Sequence, residues 1–159
     1  GKIVSLCNLN CPGQIVITGE AAAVAEAGTA LKEAGTRRVL PLKVSGPFHS
    51  PMMRPAGEEL AKVFAGISMN PLKIPYGANI NAEVITDCGR IEGLLVDQVS
   101  GSVRWQQSVE TMIREGVDTF VEIGPGKTLT GFLRKIDKNV KAYHIGSWEE
   151  AVQVCEELK

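Results

Sequence analysis

Two short stretches near the start of the chain have the hydrophobic patterning of β-strands. Apolar and polar residues alternate from Ile3 to Leu9, the period of a half-buried strand, and residues 14–18 (QIVIT) form a short, β-branched run. The sequence NCPG at 10–13 is typical of a turn, and Gly19 ends the second run. We therefore predict a hairpin-like pair of strands.

The pattern that follows predicts a helix and then a third strand. Apolar residues recur at helical spacing from Ala21 to Ala34, and Gly35 lies where a helix commonly ends in a left-handed residue. The run from Arg38 to Leu42 is short and mostly apolar, which favours a strand. Strand, strand, helix and strand form the second half of a ferredoxin-like unit, whose first strand and helix would precede this sequence.

Beyond a Gly- and Pro-rich loop at 44–51, helices and strands alternate. A helix with apolar positions between Met53 and Phe64 comes first, and a short extended run at Pro71–Gly77 follows it. The remaining predicted elements are helix 91–99, helix 105–115, strand 119–123, helix 129–136, strand 140–145 and helix 148–158. This alternation predicts a parallel, layered α/β arrangement.

Composition and charge limit the partners that the chain is expected to bind. The 159 residues are 44% hydrophobic and 22% charged, with a formal net charge of −1, which is typical of a globular domain. We expect no nucleic-acid partner and no membrane partner, since the charge is balanced and no run approaches about 18 apolar residues. The opening sequence GKIVSL is strand-like and lacks an initiator Met, which suggests a fragment or a processed chain.

The four cysteines, Cys7, Cys11, Cys88 and Cys155, do not have the spacing of a metal site. No C-x-x-C pair occurs, and Cys7 and Cys11 have no second pair of ligands downstream. Reduced thiols in a cytoplasmic protein are the simpler interpretation, and no targeting segment is visible. We expect neither a metal ion nor another cofactor.

The two histidines lie in different surroundings. His144 lies within a short apolar strand, which favours a structural role. His49 lies in a Gly/Pro-rich loop directly before a helix, whose positive end disfavours the imidazolium and keeps the ring able to accept a proton. That setting suits a general base, although position alone leaves an ordinary loop histidine equally open.

A nucleophile to accompany this base is missing from the sequence. The G-x-S-x-G elbow does not occur, no cysteine lies in a nucleophile motif, and Ser50 is better interpreted as a helix cap. The GPGKT sequence at 124–128 resembles a phosphate-binding loop only superficially, because Val121 occupies the position of the first glycine and Pro125 lacks an N–H. A tight strand-to-helix turn is the favoured interpretation.

Four segments, taken together, carry a family resemblance. They are residues 8–19 (NLNCPGQIVITG), 40–53 (LPLKVSGPFHSPMM), 98–105 (QVSGSVRW) and 120–129 (FVEIGPGKTL). In this order, and covering nearly the whole chain, they resemble segments of malonyl-CoA:acyl carrier protein transacylases, the second being the segment of the catalytic histidine. The resemblance implies an enzyme that uses malonyl-CoA and acyl carrier protein as substrates, with fatty acid synthesis favoured over polyketide synthesis.

The resemblance implies a mechanism and assigns residues to it. A serine attacks the malonyl thioester, a histidine takes the serine proton, and the phosphopantetheine thiol of acyl carrier protein then receives the malonyl group. His49 matches the histidine, and Gln98 matches the glutamine whose backbone carbonyl accepts the other ring N–H. Asn10 matches a residue that lines the cleft, and Phe48 matches a residue that favours malonyl, with plain packing as its alternative role.

The resemblance also implies the fold, an α/β protein in two parts. Residues 1–43 would be the second half of a ferredoxin-like small lobe, inserted into a larger lobe. Residues 44–159 would be the C-terminal part of that larger α/β-hydrolase-like acyltransferase lobe. The nucleophilic serine, the arginine that pairs with the malonyl carboxylate and the first oxyanion-hole donor belong to the family's N-terminal half and are not in this sequence.

Three hypotheses about the chain follow. In the first, it works with a missing N-terminal half as its partner and is inactive alone, with sheet edges and apolar surface exposed. In the second, it is a non-catalytic remnant that binds acyl carrier protein or coenzyme A without transfer. An unrelated α/β domain is the third.

Overall fold

The computed structural model describes residues 2–159 and contains the predicted hairpin. Strand β1 (Val4–Cys11) pairs with strand β2 (Gln14–Gly19) in antiparallel orientation, Val4 opposite Gly19 and Cys11 opposite Gln14. Gly13 has a φ of +77°, a conformation that glycine adopts readily, so that the turn reverses the chain in two residues.

Helix α1 (Ala21–Glu33) follows the hairpin, and its end has the predicted glycine. Gly35 has a φ of +89°, and its N–H donates to the Lys32 carbonyl, which is the usual geometry at a helix C-terminus. A Cβ atom on the buried Gly28 would lie 3.4 Å from Val39 Cγ1, so the chain beyond the helix folds back onto it.

The predicted strand at Arg38–Leu42 is wrong. The segment has no strand hydrogen bonding, and the side chains of Leu40 and Leu42 are 59% and 60% exposed. A strand requires a neighbour to accept and donate its backbone hydrogen bonds, and within residues 2–159 the hairpin sheet contains β1 and β2 alone. In this structure Leu40 and Leu42 of the run face solvent, while Val39 lies against α1 near Gly28.

The middle of the chain is mainly helical. A 3₁₀ turn (Pro51–Met53) leads into helix α2 (Arg54–Phe64), and helices α3 (Ile91–Ser100) and α4 (Trp105–Arg114) come later. Strands β3 (Tyr76–Gly77) and β4 (Val84–Ile85), with the 3₁₀ turn Cys88–Arg90 after them, form a minimal antiparallel pair.

The close packing of α2 against α3 depends on a glycine. A Cβ atom on the buried Gly57 would lie 3.1 Å from the carbonyl oxygen of Val96. The two helix backbones therefore approach each other at a point where a side chain would be crowded.

The last part of the chain has the predicted parallel arrangement. Strand β5 (Thr119–Ile123) pairs in parallel with strand β6 (Lys141–Ile145), and helix α5 (Thr128–Ile136) connects them. Helix α6 (Trp148–Glu157) follows, with Ser147 accepting a hydrogen bond from the Glu150 N–H as its cap.

Hydrogen bonds join the hairpin to the segment after α3. Val103 accepts from the Leu9 N–H at 2.9 Å and donates to the Cys7 carbonyl at 2.8 Å, and the Ser102 hydroxyl donates to the Leu6 carbonyl. Backbone hydrogen bonds thus cross the predicted boundary between the two parts, residues 1–43 and 44–159. Residue 1 lies outside the described range.

The buried apolar residues are mostly small: Cys7, Cys11, Ala23, Ala78, Ala82, Ile85, Val109, Leu133 and Val154. Several large apolar side chains are exposed instead, among them Ile123 and Trp148 at 78% each. No helix within residues 2–159 combines the length and apolar character that crossing a membrane requires.

Candidate active site

The loop before α2 holds His49 in an uncommon backbone conformation. His49 has a φ of +57°, in the left-handed region, where an L-residue other than glycine is disfavoured by about 1–2 kcal/mol. Histidine is among the residues that tolerate this region best, but a non-glycine residue there often marks a functional segment. The surrounding contacts must therefore hold the loop in place.

Ser50 supplies two of these contacts and confirms the predicted helix cap. The Ser50 side chain is completely buried, and its hydroxyl donates to the Pro47 carbonyl at 2.7 Å. The same oxygen accepts from the Met52 N–H at 3.3 Å, which caps the 3₁₀ turn that precedes α2. Ser50 Oγ is occupied by these backbone groups and is not available as a nucleophile for His49.

The imidazole ring of His49 is held by the backbone of α3. Its Nδ1 lies 2.9 Å from the carbonyl oxygen of Gln98. Because a carbonyl oxygen can only accept, Nδ1 carries the proton, and in the neutral ring Nε2 keeps the free lone pair. This is the contact that the resemblance implied for Gln98.

The position of Gln98 explains why its carbonyl is available. Gln98 lies in the last turn of α3, where a helix leaves its final carbonyl groups without intrahelical partners. The partial negative charge at that helix end favours an N–H donor such as His49 Nδ1. The contact with His49 is made by the backbone of Gln98 and not by its side chain. The side-chain Oε1 is buried and has no hydrogen-bond partner among the described residues.

Phe48 directly precedes His49 in the loop, whereas Asn10 lies on β1. Asn10 is half-buried on β1, which is hydrogen-bonded to Val103, shortly after Gln98 in the chain. No hydrogen bond joins the Asn10 side chain to the His49 loop within the part of the chain that the structure describes. Phe48 is 49% exposed, and its ring lies over Gly46, where a Cβ atom would be 3.5 Å from Phe48 Cζ.

The cysteines do not supply a nucleophile for His49. Cys7 and Cys11 are buried in β1, and burial raises the pKa of the Cys7 thiol, which disfavours the reactive thiolate. No thiol or hydroxyl is hydrogen-bonded to the His49 ring in residues 2–159. The same residues contain no group of three or more His, Cys, Asp or Glu side chains that could hold a metal ion.

The turn at 120–129 has a carboxylate cap that the sequence analysis missed. Glu122 accepts hydrogen bonds from the Leu129 N–H at 3.1 Å, the Thr130 N–H at 2.7 Å and the Thr130 hydroxyl at 2.6 Å. Burial alone would raise the pKa of Glu122, but these hydrogen bonds outweigh it and lower the pKa below its usual value. Where a phosphate-binding loop would hold an anion at a helix N-terminus, this turn holds its own glutamate.

His144 has contacts that fit a structural role. Its Nε2 lies 2.9 Å from the Gly124 carbonyl, so that nitrogen carries the proton and the ring ties β6 to the turn after β5. Its Nδ1 lies 3.6 Å from the Glu150 carboxylate. The hydrogen bond from the Gly146 N–H, assisted by His144, lowers the pKa of Glu150.

Comparison with known proteins identifies the family. The sequence model of the family described as acyl transferase domain matches residues 2–154 of this chain. Malonyl CoA-acyl carrier protein transacylase from Bacillus subtilis (strain 168) is 42% identical over 159 residues, which are 100% of this chain and 50% of that protein.

Solved structures agree with the sequence comparison. The crystal structure of MCAT from Streptococcus pneumoniae matches with a TM-score of 0.92 and 41% identity, over 98% of this chain and 50% of that one. A malonyl-transacylase in complex with its type II PKS acyl-carrier protein matches with a TM-score of 0.94 and 39% identity, over 99% of this chain and 51% of that one. The chain thus spans about half the length of the relatives it matches, and it belongs to the acyl transferase domain family.

Proposed function

We propose that this chain contributes the general base to a malonyl-CoA:acyl carrier protein transacylase whose nucleophilic serine lies outside it. The observation that carries the proposal is the 2.9 Å contact between His49 Nδ1 and the Gln98 carbonyl oxygen. In the neutral ring this contact places the proton on Nδ1 and the lone pair on Nε2, which is the tautomer that a general base needs, without the help of a carboxylate. The names of the matched relatives support the substrates.

In this proposal His49 serves as the base in both displacements of a double-displacement mechanism. His49 Nε2 takes the proton of the serine hydroxyl as its oxygen attacks the malonyl thioester carbonyl. The carbon–sulfur bond then breaks, and the same proton passes to the leaving thiolate of coenzyme A. In the second half, His49 takes the proton of the phosphopantetheine thiol, whose sulfur attacks the malonyl-serine ester, and returns it to the serine oxygen.

Phe48 and Asn10 are proposed as the substrate-binding residues. The half-exposed ring of Phe48 directly precedes the base, so it is available to restrict the size of the acyl group beside His49. Asn10 lies on the strand that is hydrogen-bonded to the segment following Gln98, and it would line the cleft. A larger acyl group would therefore be rejected on size, and malonyl accepted.

The finer fold assignment forms part of the same proposal. Residues 1–43 would complete a ferredoxin-like small lobe, and residues 44–159 a larger α/β-hydrolase-like lobe, each together with residues of an N-terminal half. That half would carry the serine elbow, the arginine for the malonyl carboxylate and an oxyanion-hole donor. A cytoplasmic enzyme of fatty acid synthesis is the setting proposed for the assembled protein.

A chimera tests the proposed function. This chain would replace the aligned half of the Bacillus subtilis relative, and malonyl transfer from malonyl-CoA to acyl carrier protein would be measured. We expect transfer by the chimera and none by the 159-residue chain alone. A folded but inert chimera would favour a remnant that binds without transfer, and turnover by the chain alone would contradict a nucleophile located elsewhere.

A further inference from the structure

Ser50 uses both of its hydrogen-bonding capacities inside the loop that carries His49. Its side chain is 0% exposed, its hydroxyl donates to the Pro47 carbonyl at 2.7 Å, and the same oxygen accepts from the Met52 N–H at 3.3 Å. A helix cap requires the second contact alone. The first and shorter contact reaches back across His49 and calls for a separate explanation.

The contact with Pro47 closes the turn in which His49 adopts its left-handed conformation. Pro47 and Ser50 flank Phe48 and His49, and the φ of +57° at His49 is intrinsically unfavourable for an L-residue. A hydrogen bond between the two ends of the turn opposes relaxation of the backbone toward negative φ. Such relaxation would rotate the His49 side chain away from the Gln98 carbonyl.

We propose that Ser50 is a positioning residue for His49, its hydroxyl fixing the backbone conformation that aligns Nδ1 with the Gln98 carbonyl. This inference rests on the proposed function, in which His49 is the general base. No hydrogen bond links the Ser50 hydroxyl to the His49 ring in the described residues, so its effect passes through the backbone of the turn. The direction of the free Nε2 follows from that alignment.

Nitrogen NMR of the histidine rings in the full chain tests the inference directly. The chain has two histidines, and the structure gives them opposite tautomers. His49 donates from Nδ1 to Gln98, whereas His144 donates from Nε2 to Gly124. The spectrum of the unaltered chain should therefore contain one ring of each kind above the pH at which the rings protonate, with His144 as the internal reference.

The decisive variant is Ser50→Ala, with Ser108→Ala as its matched control. Ser108 is also a buried serine whose hydroxyl donates to a backbone carbonyl, that of Arg104 at 3.0 Å, but on α4. In Ser50→Ala we expect His49 to change from a single Nδ1–H tautomer to an averaged mixture, with His144 unchanged. Ser108→Ala should leave both rings unchanged. A His49 ring that keeps its single tautomer in folded Ser50→Ala would overturn the inference.

Two further variants keep the test decisive if Ser50→Ala does not fold. Ser50→Cys replaces the hydroxyl with a slightly larger thiol that is only a weak donor, so the averaged His49 tautomer is expected there as well, and a retained tautomer overturns the inference. Ser50→Thr keeps the hydroxyl, so His49 should retain its single tautomer in this variant. Loss of the tautomer in Ser50→Thr at an unaltered fold would also count against a role of the hydroxyl.

Kinetics of the chimera separate this inference from the function on which it rests. Ser50→Ala should lower kcat by about 10- to 100-fold with little change in KM, since misplacement of a catalytic group acts on the chemical step. If His49→Ala leaves transfer unchanged, the proposed function fails whatever the NMR result. If His49→Ala abolishes transfer while Ser50→Ala changes neither kcat nor the tautomer, only the role of Ser50 fails.

Discussion

His49 and Glu122 are both held by backbone groups at the end of a helix, in opposite senses. The His49 ring donates to a carbonyl near the C-terminal end of α3, and Glu122 accepts from two amides in the first turn of α5. Each contact satisfies backbone groups that a helix leaves unpaired, and each has the sign that the helix dipole favours. The histidine segment and the turn at 120–129 therefore depend on helix ends rather than on ion pairs.

The cap formed by Glu122 predicts a specific pH dependence of stability. Because the pKa of Glu122 is lowered in the folded state, its contribution is fully present above the ordinary glutamate pKa and is lost as the pH falls through the folded value. Glu122→Gln should cost about 1 kcal/mol of unfolding free energy at neutral pH, the usual effect of losing a helix cap. Urea unfolding at pH 7 and at successively lower pH measures this.

Glu58→Gln is the control for Glu122→Gln. Glu58 is exposed on α2, and no hydrogen bond of its side chain occurs in the part of the chain that the structure describes. Its replacement should leave the stability and its pH dependence nearly unchanged. Equal effects of the two variants at every pH would contradict the capping role of Glu122.

The sequence indicates some of these residues and not others. The loop around His49 is visible in its Gly and Pro content, but Gln98, 49 positions away, entered only through the family resemblance, because no local pattern links a loop histidine to a distant carbonyl. Glu122 was missed because it lies seven residues before Leu129, outside the spacing of the usual capping motifs. Histidine tolerates the left-handed region better than most residues, but its residue type alone does not predict that His49 adopts it.

At the scale of elements, local patterns predict the helices and the longer strands whose partners are within the chain, whereas the two-residue strand β4 was not predicted although its partner β3 is present. The helices carry their own hydrogen bonds, and the β1–β2 hairpin and the β5–β6 pair each have both strands present, so periodicity and turn residues predicted them. Residues 38–42 have the pattern of a strand but no neighbouring strand in the described residues. Strand pairing depends on non-local partners, which sequence pattern alone does not provide.

Two glycines on helices should respond in opposite directions to alanine. Alanine gains about 1 kcal/mol over glycine in a helix interior, and at Gly131 of α5 nothing lies within 4 Å of the added Cβ. Gly131→Ala should therefore raise the melting temperature. At Gly57 the Cβ would lie 3.1 Å from the Val96 carbonyl within α3, which cannot shift without disturbing that helix, so Gly57→Ala should lower it.

Thermal unfolding of the two single variants measures this contrast. Since α3 carries the Gln98 carbonyl, we also expect Gly57→Ala to disturb the single tautomer of His49, whereas Gly131→Ala should not. An increase in melting temperature in both variants would show that the contact between α2 and α3 is looser than the structure implies.

The whole molecule exposes large apolar side chains from several elements. They lie on the segment before the His49 loop, on β5 and on α6, and include Leu40, Leu42, Val44, Ile123 and Trp148. Water contact with this much apolar surface is unfavourable, and such patches commonly mark interfaces. We expect the 159-residue chain to self-associate or to bind a hydrophobic dye at micromolar concentration.

Light scattering after gel filtration and dye fluorescence measure this expectation. The chimera with the Bacillus subtilis half should bind less dye than the chain alone at equal molar concentration. A compact monomer that binds no dye, from the chain by itself, would show that its apolar surface is covered in a way that the structure does not describe.

The most direct test of the account is the rate of malonyl transfer by the chimera with and without His49. We predict that His49→Ala lowers the rate by about 10²–10⁴-fold, the usual span for loss of a general base. His144→Gln, which alters the histidine outside the site, should retain most of the rate in a folded protein. A chimera that transfers malonyl equally well after His49→Ala would contradict the assignment of His49 as the base.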